Sequence, residues 1–126
     1  MNNKIEQIQP YWIESQQGVY IPLINKVLLK DNIPEMTYYD YMAYAKANGV
    51  QIASKDELLL MYLQRDQINK ILKAHNGDRL NKYTGSSTWY DLSCMWDVHL
   101  VTGRCTTTYK DYEYVSRAVI GLKKQK

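Results

Sequence analysis

Residues 54–64, SKDELLLMYLQ, carry the clearest structural signal in the chain. Ser54 and Glu57 have the S-x-x-E spacing of a capping box, in which each side chain accepts a hydrogen bond from the other residue's backbone amide. Leu58, Met61 and Tyr62 follow at the spacing that places side chains on one face of a helix. This pattern predicts a helix whose apolar face, Met61 included, packs into the protein core and does not hold a cofactor.

Weaker signals predict a helix on each side of this one. Upstream, Thr37 and Asp40 indicate a helix start, and Gly49 indicates its end. Downstream, Asp66 is a candidate cap for a third, shorter helix that Gly77 closes. We therefore expect two main helices and one short helix.

Both ends of the chain have the composition of strands. Residues 11–30 mix β-branched residues and tyrosine around turn signals, which predicts short strands, and Pro34 is expected to end this strand region. From residue 83 onward the sequence alternates again, and YVSRAVIGL at residues 114–122 is strongly apolar. Segregated helices and strands indicate an α+β fold with small antiparallel sheets, in which the N- and C-terminal strands pair.

Length and composition predict one folded domain with one core. The chain has 126 residues, of which 45% are apolar and 23% charged, as in globular proteins. Residues 1–10 are expected to form an N-terminal extension.

Twelve tyrosines accompany three tryptophans and no phenylalanine. Because tyrosine combines rigid apolar area with a hydrogen-bonding hydroxyl, this surplus favours a surface that contacts another molecule.

Charge and hydropathy argue against two kinds of partner. The net charge of +3 is small, and its one basic cluster is the tail at Lys123, Lys124 and Lys126, so we expect no nucleic-acid binding. No apolar stretch approaches a membrane span, and the N-terminus lacks the apolar run of a secretory signal. We expect a protein that does not insert into membranes and that is cytoplasmic until it is assembled or released.

The C-terminal half contains a predicted hairpin, MWDVHLVTGRCTTTYKDYEYV, at residues 95–115. A turn at Thr102 and Gly103 is expected to join its strands. Trp96, Val98 and Leu100 alternate as a buried strand face does. On the opposite face we expect exposed side chains on the same side as Tyr112, namely Asp97, His99 and Arg104.

Chemistry at the two cysteines is disfavoured by the same hairpin. Its predicted pairing separates Cys94 from Cys105, so two free thiols are expected. A metal site would need Cys94, Asp97, His99 and Cys105 together, whereas strand alternation divides them between two faces. Catalysis by Cys94 with His99 lacks a third residue to orient the base. No metal, cofactor or catalytic residue is therefore predicted.

The order of several short motifs resembles a known family. GVYIPL, IASKDELLLMY, RDQIN, GSST, the tryptophan strand, TGR and SRAV follow one another as in the C-type-lectin-like variable proteins of diversity-generating retroelements, over most of residues 18–122. Two positions depart from that pattern. Gly85 stands where a tryptophan is expected, so another residue must supply its packing, and Ser116 stands where an apolar residue is expected.

The resemblance implies a C-type-lectin-like fold whose variable half, residues 83–122, presents side chains rewritten by adenine-directed mutagenesis. An asparagine codon changed at its first two positions cannot encode Lys, Glu, Gln, Met or Trp. Met95, Trp96, Lys110 and Glu113 are therefore expected to be fixed scaffold. The hairpin and its flanks contain many reachable residues, which include Asp91, Leu92, Ser93, Cys94, Asp97, His99, Val101, Arg104, Thr106, Thr107, Thr108, Tyr109, Asp111, Tyr112 and Tyr114.

From the strand pattern and the resemblance together, we expect one contiguous ligand-binding patch without catalytic activity. Its ligand is expected to be a protein or glycan on a cell surface. For Thr106, Thr107 and Thr108, simple strand formation is an equally good explanation. The predicted patch comprises Asp91, Leu92, Ser93, Asp97, His99, Arg104, Thr106, Thr107, Thr108, Tyr109, Asp111, Tyr112 and Tyr114.

Two other functions stay open on this fold. One is an oxidase of the formylglycine-generating, sulfatase-activating type, which uses two cysteines in one pocket. The other is a structural subunit of a phage or surface assembly. Calcium-dependent sugar binding is disfavoured, because the sequence lacks the carboxylate and amide cluster that such lectins use.

Overall fold

The computed structural model describes residues 9–123 and has a mixed α+β fold. Within those residues the chain forms three α-helices and one eight-stranded sheet. The helices are α1 (Tyr38–Asn48), α2 (Lys55–Leu63) and α3 (Arg65–Ala74). The strands are β1 (Tyr11–Ile13), β2 (Gly18–Ile21), β3 (Lys26–Met36), β4 (Gln51–Ile52), β5 (Tyr83–Trp89), β6 (Cys94–His99), β7 (Cys105–Tyr109) and β8 (Tyr114–Ile120).

Some sequence predictions fall outside these residues. Of the expected N-terminal extension, residues 1–8 lie outside the described range, and Gln9 and Pro10 lead directly into β1. Lys124 and Lys126 of the basic tail also lie outside it. None of the helices found between residues 9 and 123 is long and apolar enough to cross a membrane.

The last strand lies in the middle of the sheet. The strand order is β1-β2-β3-β8-β5-β6-β7, and the short β4 also pairs with β8. Strand β8 runs antiparallel to β3, with Val27 opposite Ile120, which confirms the predicted pairing of N- and C-terminal strands. On its other side β8 contacts β5 in parallel, at Gly85 and Ser116. This contact attaches the β5–β7 part of the sheet, which carries the predicted patch, to the centre of the fold.

Apolar side chains form two clusters, one on each face of the sheet. The adjacent residues Ala118 and Val119 of β8 belong to different clusters, because successive side chains of a strand point to opposite faces. Leu58 of α2 and Leu72 of α3 pack on the Val119 face, whereas Tyr41 of α1 packs on the Ala118 face. The prediction of one core is therefore wrong, because helices cover the sheet on both sides.

Local capping signals hold for the first two helices. Ser54 Oγ accepts a hydrogen bond from the Glu57 amide at 3.2 Å, and Glu57 Oε1 accepts one from the Ser54 amide at 2.9 Å. Thr37 caps α1 with its hydroxyl. Gly49 ends α1 in the left-handed region at φ 65°, which glycine adopts without a steric cost. The predicted capping box and both ends of α1 are thus confirmed.

Two other predictions about regular structure are wrong. Helix α3 begins at Arg65 without a side-chain cap, so Asp66 does not start it, and its 10 residues compare with 11 in α1 and 9 in α2. The structure therefore has three comparable helices. Strand β3 also continues through Pro34 to Met36. A shift in its pairing with β8 between Ile33 and Met36 accommodates the missing backbone donor.

Gly85 and Ser116, two positions singled out in the sequence, are in contact with each other. A Cβ atom at Gly85 would overlap the ring of Tyr114, so that ring occupies the space beside the glycine. Ser116 is fully buried, and its hydroxyl donates to the carbonyl oxygen of Gly85 at 2.9 Å. Tyr114 therefore fills the space beside the backbone of Gly85.

Adding a methyl group at this contact should be costly. Gly85→Ala is expected to lower the free energy of unfolding by about 1 to 3 kcal/mol, because a packed ring must move. Adding Tyr114→Ala opens the space, so the Gly85→Ala change should then cost much less. Urea unfolding of the parent, both single variants and the double variant measures this coupling. Additive effects of the two changes would contradict the contact.

Candidate functional site

The β6–β7 hairpin is longer at its turn than predicted. Cys94 lies opposite Tyr109 and Val98 lies opposite Cys105. The amide of His99 donates to the Arg104 carbonyl at 2.8 Å, which closes a loop of residues 100–103. The predicted turn at residues 102 and 103 is therefore wrong, and the pairing differs from the predicted one by two residues.

Burial along β6 also differs from the prediction. Val98 and Leu100 are buried as expected, but Trp96 is only half-buried, and its neighbour Met95 is completely buried. Trp96 lies outside both apolar clusters of the described residues; Lys55 Nζ is 4.1 Å from its ring centroid, and Tyr90 contacts its edge. The prediction of Trp96 as a core residue is corrected, and Met95, on the opposite face of β6, is completely buried.

Several predicted patch residues share the opposite face of the hairpin. The pairs Asp97–Thr106 and Met95–Thr108 place Asp97, Thr106 and Thr108 on one face. The Thr106 hydroxyl donates to Asp97 Oδ1. On this face Asp97 is half-buried, because it belongs to a cross-strand contact, and the prediction of a mostly exposed Asp97 is wrong.

His99 is likewise half-buried and already has partners. Its ring packs edge-on against Tyr83, with 4.2 Å between centroids. His99 Nδ1 also accepts a hydrogen bond from the Thr102 amide at 3.2 Å. The prediction of a mostly exposed His99 is therefore wrong, whereas Arg104 is exposed as expected.

A buried lysine organises one end of the sheet. Lys110 is 2% exposed, and its Nζ lies 3.2 Å from the ring centroid of Trp89 and 5.3 Å from that of Tyr38. The same ammonium donates to the Leu92 carbonyl at 3.0 Å. Because aromatic faces and a carbonyl oxygen favour a cation, these contacts offset part of the cost of burying the charge.

The backbone of Lys110 fixes the same surroundings. Its amide donates to the Ser93 carbonyl at 2.8 Å, and its carbonyl accepts a hydrogen bond from the Tyr38 amide at 3.0 Å. Trp89 Nε1 also donates to the Tyr38 hydroxyl at 2.6 Å. One residue therefore ties the β5–β6 loop, the end of β5 and the start of α1 into a single unit.

Large apolar side chains project from this unit toward solvent. Leu92 is 81% exposed, and the tyrosines around it are more than half exposed. Tyr109 and Tyr112 contact each other edge to face, with 5.3 Å between centroids. We call this surface the aromatic end, and its members are Tyr39, Trp89, Tyr90, Leu92, Tyr109 and Tyr112.

A shallow depression crosses the aromatic end. It encloses about 270 Å³ and is lined by Tyr39, Leu92, Tyr109 and Asp111, among others. Beside it, Asp91 Oδ1 accepts hydrogen bonds from the amides of Ser93 and Cys94, each at 2.8 Å. This side chain holds the β5–β6 loop in shape, so the exposed residues next to it are positioned without a ligand.

The structure thus divides the predicted patch. Asp91, Leu92, Ser93, Tyr109, Asp111 and Tyr112 lie at or beside the aromatic end, and all are exposed. Asp97, His99, Thr106 and Thr108 lie on the polar face of the hairpin, Arg104 lies next to its turn, and Thr107 is exposed on the other face.

Tyr114 does not belong to the exposed surface. Its ring packs against the Tyr41 cluster, with 5.2 Å between the two tyrosine centroids. Burial raises the pKa of Tyr114, and the neighbouring Tyr41 and Tyr38 raise it further. Its expected position among exposed patch residues is therefore corrected, because its ring fills the space beside Gly85.

Sequence reasoning did not identify four residues of this site. Tyr39, Trp89 and Tyr90 were not among the predicted patch residues, and Lys110 was expected only to be scaffold. The pair Tyr38–Tyr39 at a helix start and the pair Trp89–Tyr90 before a loop are the signals that could have indicated them. Their meeting depends on contacts between residues more than fifty positions apart in the chain, such as Tyr38 with Trp89.

Both cysteines are free thiols, as predicted. Their partners in the hairpin, Tyr109 and Val98, place them at opposite ends of the strand pair. Burial raises the pKa of the Cys94 thiol, and Asp91 raises it further. Within the described range, His, Cys, Asp and Glu form no group of three or more that could hold a metal ion.

The raised pKa of Cys94 predicts slow alkylation. Because the thiolate is the reactive form, the rate of iodoacetamide labelling should reach its midpoint at a higher pH than for a cysteine in an unstructured peptide. A Cys105→Ser background restricts labelling to Cys94. Mass spectrometry across a pH series provides the rates. A midpoint at or below that of the peptide would contradict the environment described for Cys94.

Comparison with known proteins does not assign a family. No protein-family model matches the sequence. No curated protein matches it significantly. The geometry of the described residues is therefore the basis for a functional interpretation.

Proposed function

We propose that this protein is a binding module of the receptor or adhesin type, which recognises a protein or glycan on a cell surface through its aromatic end. The observation that carries the proposal is the set of exposed tyrosine, tryptophan and leucine side chains gathered around buried Lys110. Exposed apolar patches of this kind on soluble proteins are typical of interaction surfaces.

The energetics of the aromatic end favour binding. A tyrosine loses few rotamers when a ligand covers it and buries a large area with one polar tip. The Tyr109–Tyr112 contact restricts both rings before any ligand arrives. Lys110 forms hydrogen bonds with Tyr38, Leu92 and Ser93, and these hold the backbone around the aromatic end in place. Because this backbone needs little further ordering when a ligand binds, less free energy is lost on association.

The polar residues around the aromatic end would contribute specificity. Asp111 lines the central depression, and Asp91 and Ser93 lie in the adjoining loop. Hydrogen-bond donors and acceptors at the rim of an apolar patch discriminate between ligands more than they add affinity. A ligand with apolar groups flanked by hydrogen-bonding groups fits this arrangement.

We further propose that the scaffold is C-type-lectin-like and that its variable half is residues 83–122. Two features support this assignment: the last strand pairs with a strand that precedes the first helix, and helices cover both faces of the sheet. The codon argument does not separate surface from core. Met95 and Lys110, which adenine mutagenesis of asparagine codons cannot produce, are buried. Val98 and Leu100, which it can produce, are also buried, whereas Glu113 is exposed and Trp96 half-buried.

The oxidase alternative receives less support. A pair of cysteines that acts in one pocket must lie close together, yet Cys94 and Cys105 are separated along the hairpin. A nucleophilic cysteine also benefits from a lowered pKa, and that of Cys94 is raised. These observations favour a binding function over thiol chemistry.

A binding screen tests the proposed function. The labelled protein is applied to arrays of purified bacterial surface proteins and of glycans, together with a Tyr109→Ala, Tyr112→Ala double variant. The proposal expects at least one saturable signal that the double variant loses. Signals that the double variant retains in full would contradict binding through the aromatic end.

Sequencing around the gene tests the proposed family. A neighbouring reverse transcriptase, with a template copy that differs from codons 83–122 only at adenines, is the expected result. A locus without either element would contradict diversification and would leave the binding proposal standing.

A further inference from the structure

The outer edge of the sheet at β7 is open. In the part of the chain that the structure describes, β7 pairs with β6 on one side and with no strand on the other. An unpaired strand edge offers a row of backbone donors and acceptors to any extended chain that meets it. Strand β7 is therefore a second candidate interaction surface, which uses backbone groups and shares only Tyr109 with the aromatic end.

The hydrogen bonds of the hairpin define which backbone groups face outward. His99 donates to the Arg104 carbonyl and Lys110 to the Ser93 carbonyl, each at 2.8 Å. In an antiparallel pair, alternate residues of a strand bond to the partner. The backbone groups of Cys105, Thr107 and Tyr109 therefore face away from β6. The Tyr109 carbonyl already accepts a hydrogen bond from the Tyr112 amide and has a second lone pair free.

Strand β7 lacks the features that usually prevent edge pairing. Its sequence, CTTTY, contains no proline and no charged residue, and its pairing with β6 is continuous, without a bulge. The opposite edge of the sheet differs. Strand β1 has only three residues and follows directly after Pro10. Both edges lack a further strand among the described residues, but β7 is longer than β1 and does not follow a proline.

Charges at the ends of β7 complement each other under a two-fold rotation. Arg104 lies just before the strand and Asp111 just after it, and both are exposed. Lys110, the other nearby charge, is buried beneath Trp89. If two copies of β7 paired antiparallel, each Arg104 would lie near Asp111 of the other copy. A parallel arrangement would instead place like charges together.

We propose that β7 is a homodimerisation edge, at which two copies of the chain pair their β7 strands antiparallel about Thr107. Thr107 of one copy lies opposite Thr107 of the second copy, and Cys105 lies opposite Tyr109. The pairing uses outward-facing backbone groups and closes with two-fold symmetry, so it yields a dimer and not a filament. It goes beyond the proposed binding function and does not depend on it.

Sedimentation velocity tests the dimer. An interface of one strand pair falls below the roughly 1,200 Å² of a standard complex, so weak association is expected and the protein is measured from about 10 to 500 µM. The protein should shift from monomer toward dimer across that range. Thr107→Pro removes an outward-facing amide, and Thr107→Lys places two ammonium groups at the symmetry axis. Both variants should stay monomeric, whereas the matched control Thr107→Val should dimerise like the parent.

A charge exchange separates self-pairing from pairing with another protein. Arg104→Asp should weaken the dimer, and Arg104→Asp with Asp111→Arg should restore it, because the opposite charges again meet across the axis. Circular dichroism tests whether each variant is folded. If Thr107→Pro is unfolded, the conclusion rests on Thr107→Lys. A parent that stays monomeric over the whole range, or a Thr107→Lys variant that dimerises equally well, would overturn the proposal.

Discussion

Replacing Arg117 with methionine is expected to lower the free energy of unfolding by about 3 kcal/mol. Arg117 is completely buried in β8, and burial lowers its pKa to about 10, so its guanidinium is charged at neutral pH. It donates to the carbonyls of Asp78 at 2.7 Å and Leu29 at 2.9 Å and to Asn32 Oδ1 at 3.0 Å. Methionine keeps most of the volume but leaves these acceptors without their donor.

Urea unfolding monitored by tryptophan fluorescence measures this loss. The control is Arg104→Met, which makes the same chemical change at an exposed position and should alter the unfolding free energy by less than about 0.5 kcal/mol. If the Arg117 variant is as stable as the control, the desolvation cost that is avoided by removing the buried charge outweighs the hydrogen bonds that are lost. The network around Arg117 would then not stabilise the fold.

Local signals were sufficient to predict the first two helices. A capping box, a threonine cap and a terminal glycine act within one turn of helix, so Ser54, Thr37 and Gly49 could be interpreted without knowledge of the fold. The pairing of the last strand with the N-terminal strands was also predicted correctly. Pro34 was misleading, because an irregular strand pairing can absorb a proline that would interrupt a regular one.

The hairpin shows why burial was harder to predict. Alternation identifies the buried face of a strand only when one face of the sheet is covered. Here Met95 and Val98 lie on opposite faces, yet both are completely buried. Because helices and loops cover parts of both faces, the alternation of Trp96, Val98 and Leu100 did not identify one buried face of the strand.

The candidate site was predicted only in part, for a related reason. The exposed loop residues Asp91, Leu92 and Ser93 were selected by the codon rule that the resemblance implies, and the tyrosines Tyr109 and Tyr112 by that rule and the surplus of tyrosine. Tyr39, by contrast, lies on α1, remote in sequence from the hairpin. Its proximity to them depends on the tertiary contacts of Lys110, which no local pattern reveals.

Replacing Tyr109 and Tyr112 together with alanine is expected to weaken ligand binding by at least about tenfold, or about 1.4 kcal/mol. Both rings are more than half exposed, and they pack against each other beside the depression. Their removal takes apolar area from the centre of the proposed interface. Because neither ring is part of the core, the melting temperature should change little.

The chain offers a matched control on other surfaces. Tyr11 and Leu63 are exposed, at 48% and 68%, and lie on β1 and α2. Strand β1 forms the edge of the sheet opposite β7. A Tyr11→Ala, Leu63→Ala variant removes similar apolar area away from the aromatic end, so it separates loss of the site from a general loss of surface hydrophobicity.

Isothermal titration with a ligand from the array screen tests the central claim most directly. The dissociation constants of the parent, the Tyr109→Ala, Tyr112→Ala variant and the Tyr11→Ala, Leu63→Ala variant are measured under one set of conditions. Binding through the aromatic end predicts that the first variant loses affinity by about tenfold or more while the second binds as the parent does. Equal dissociation constants for all three proteins would contradict it.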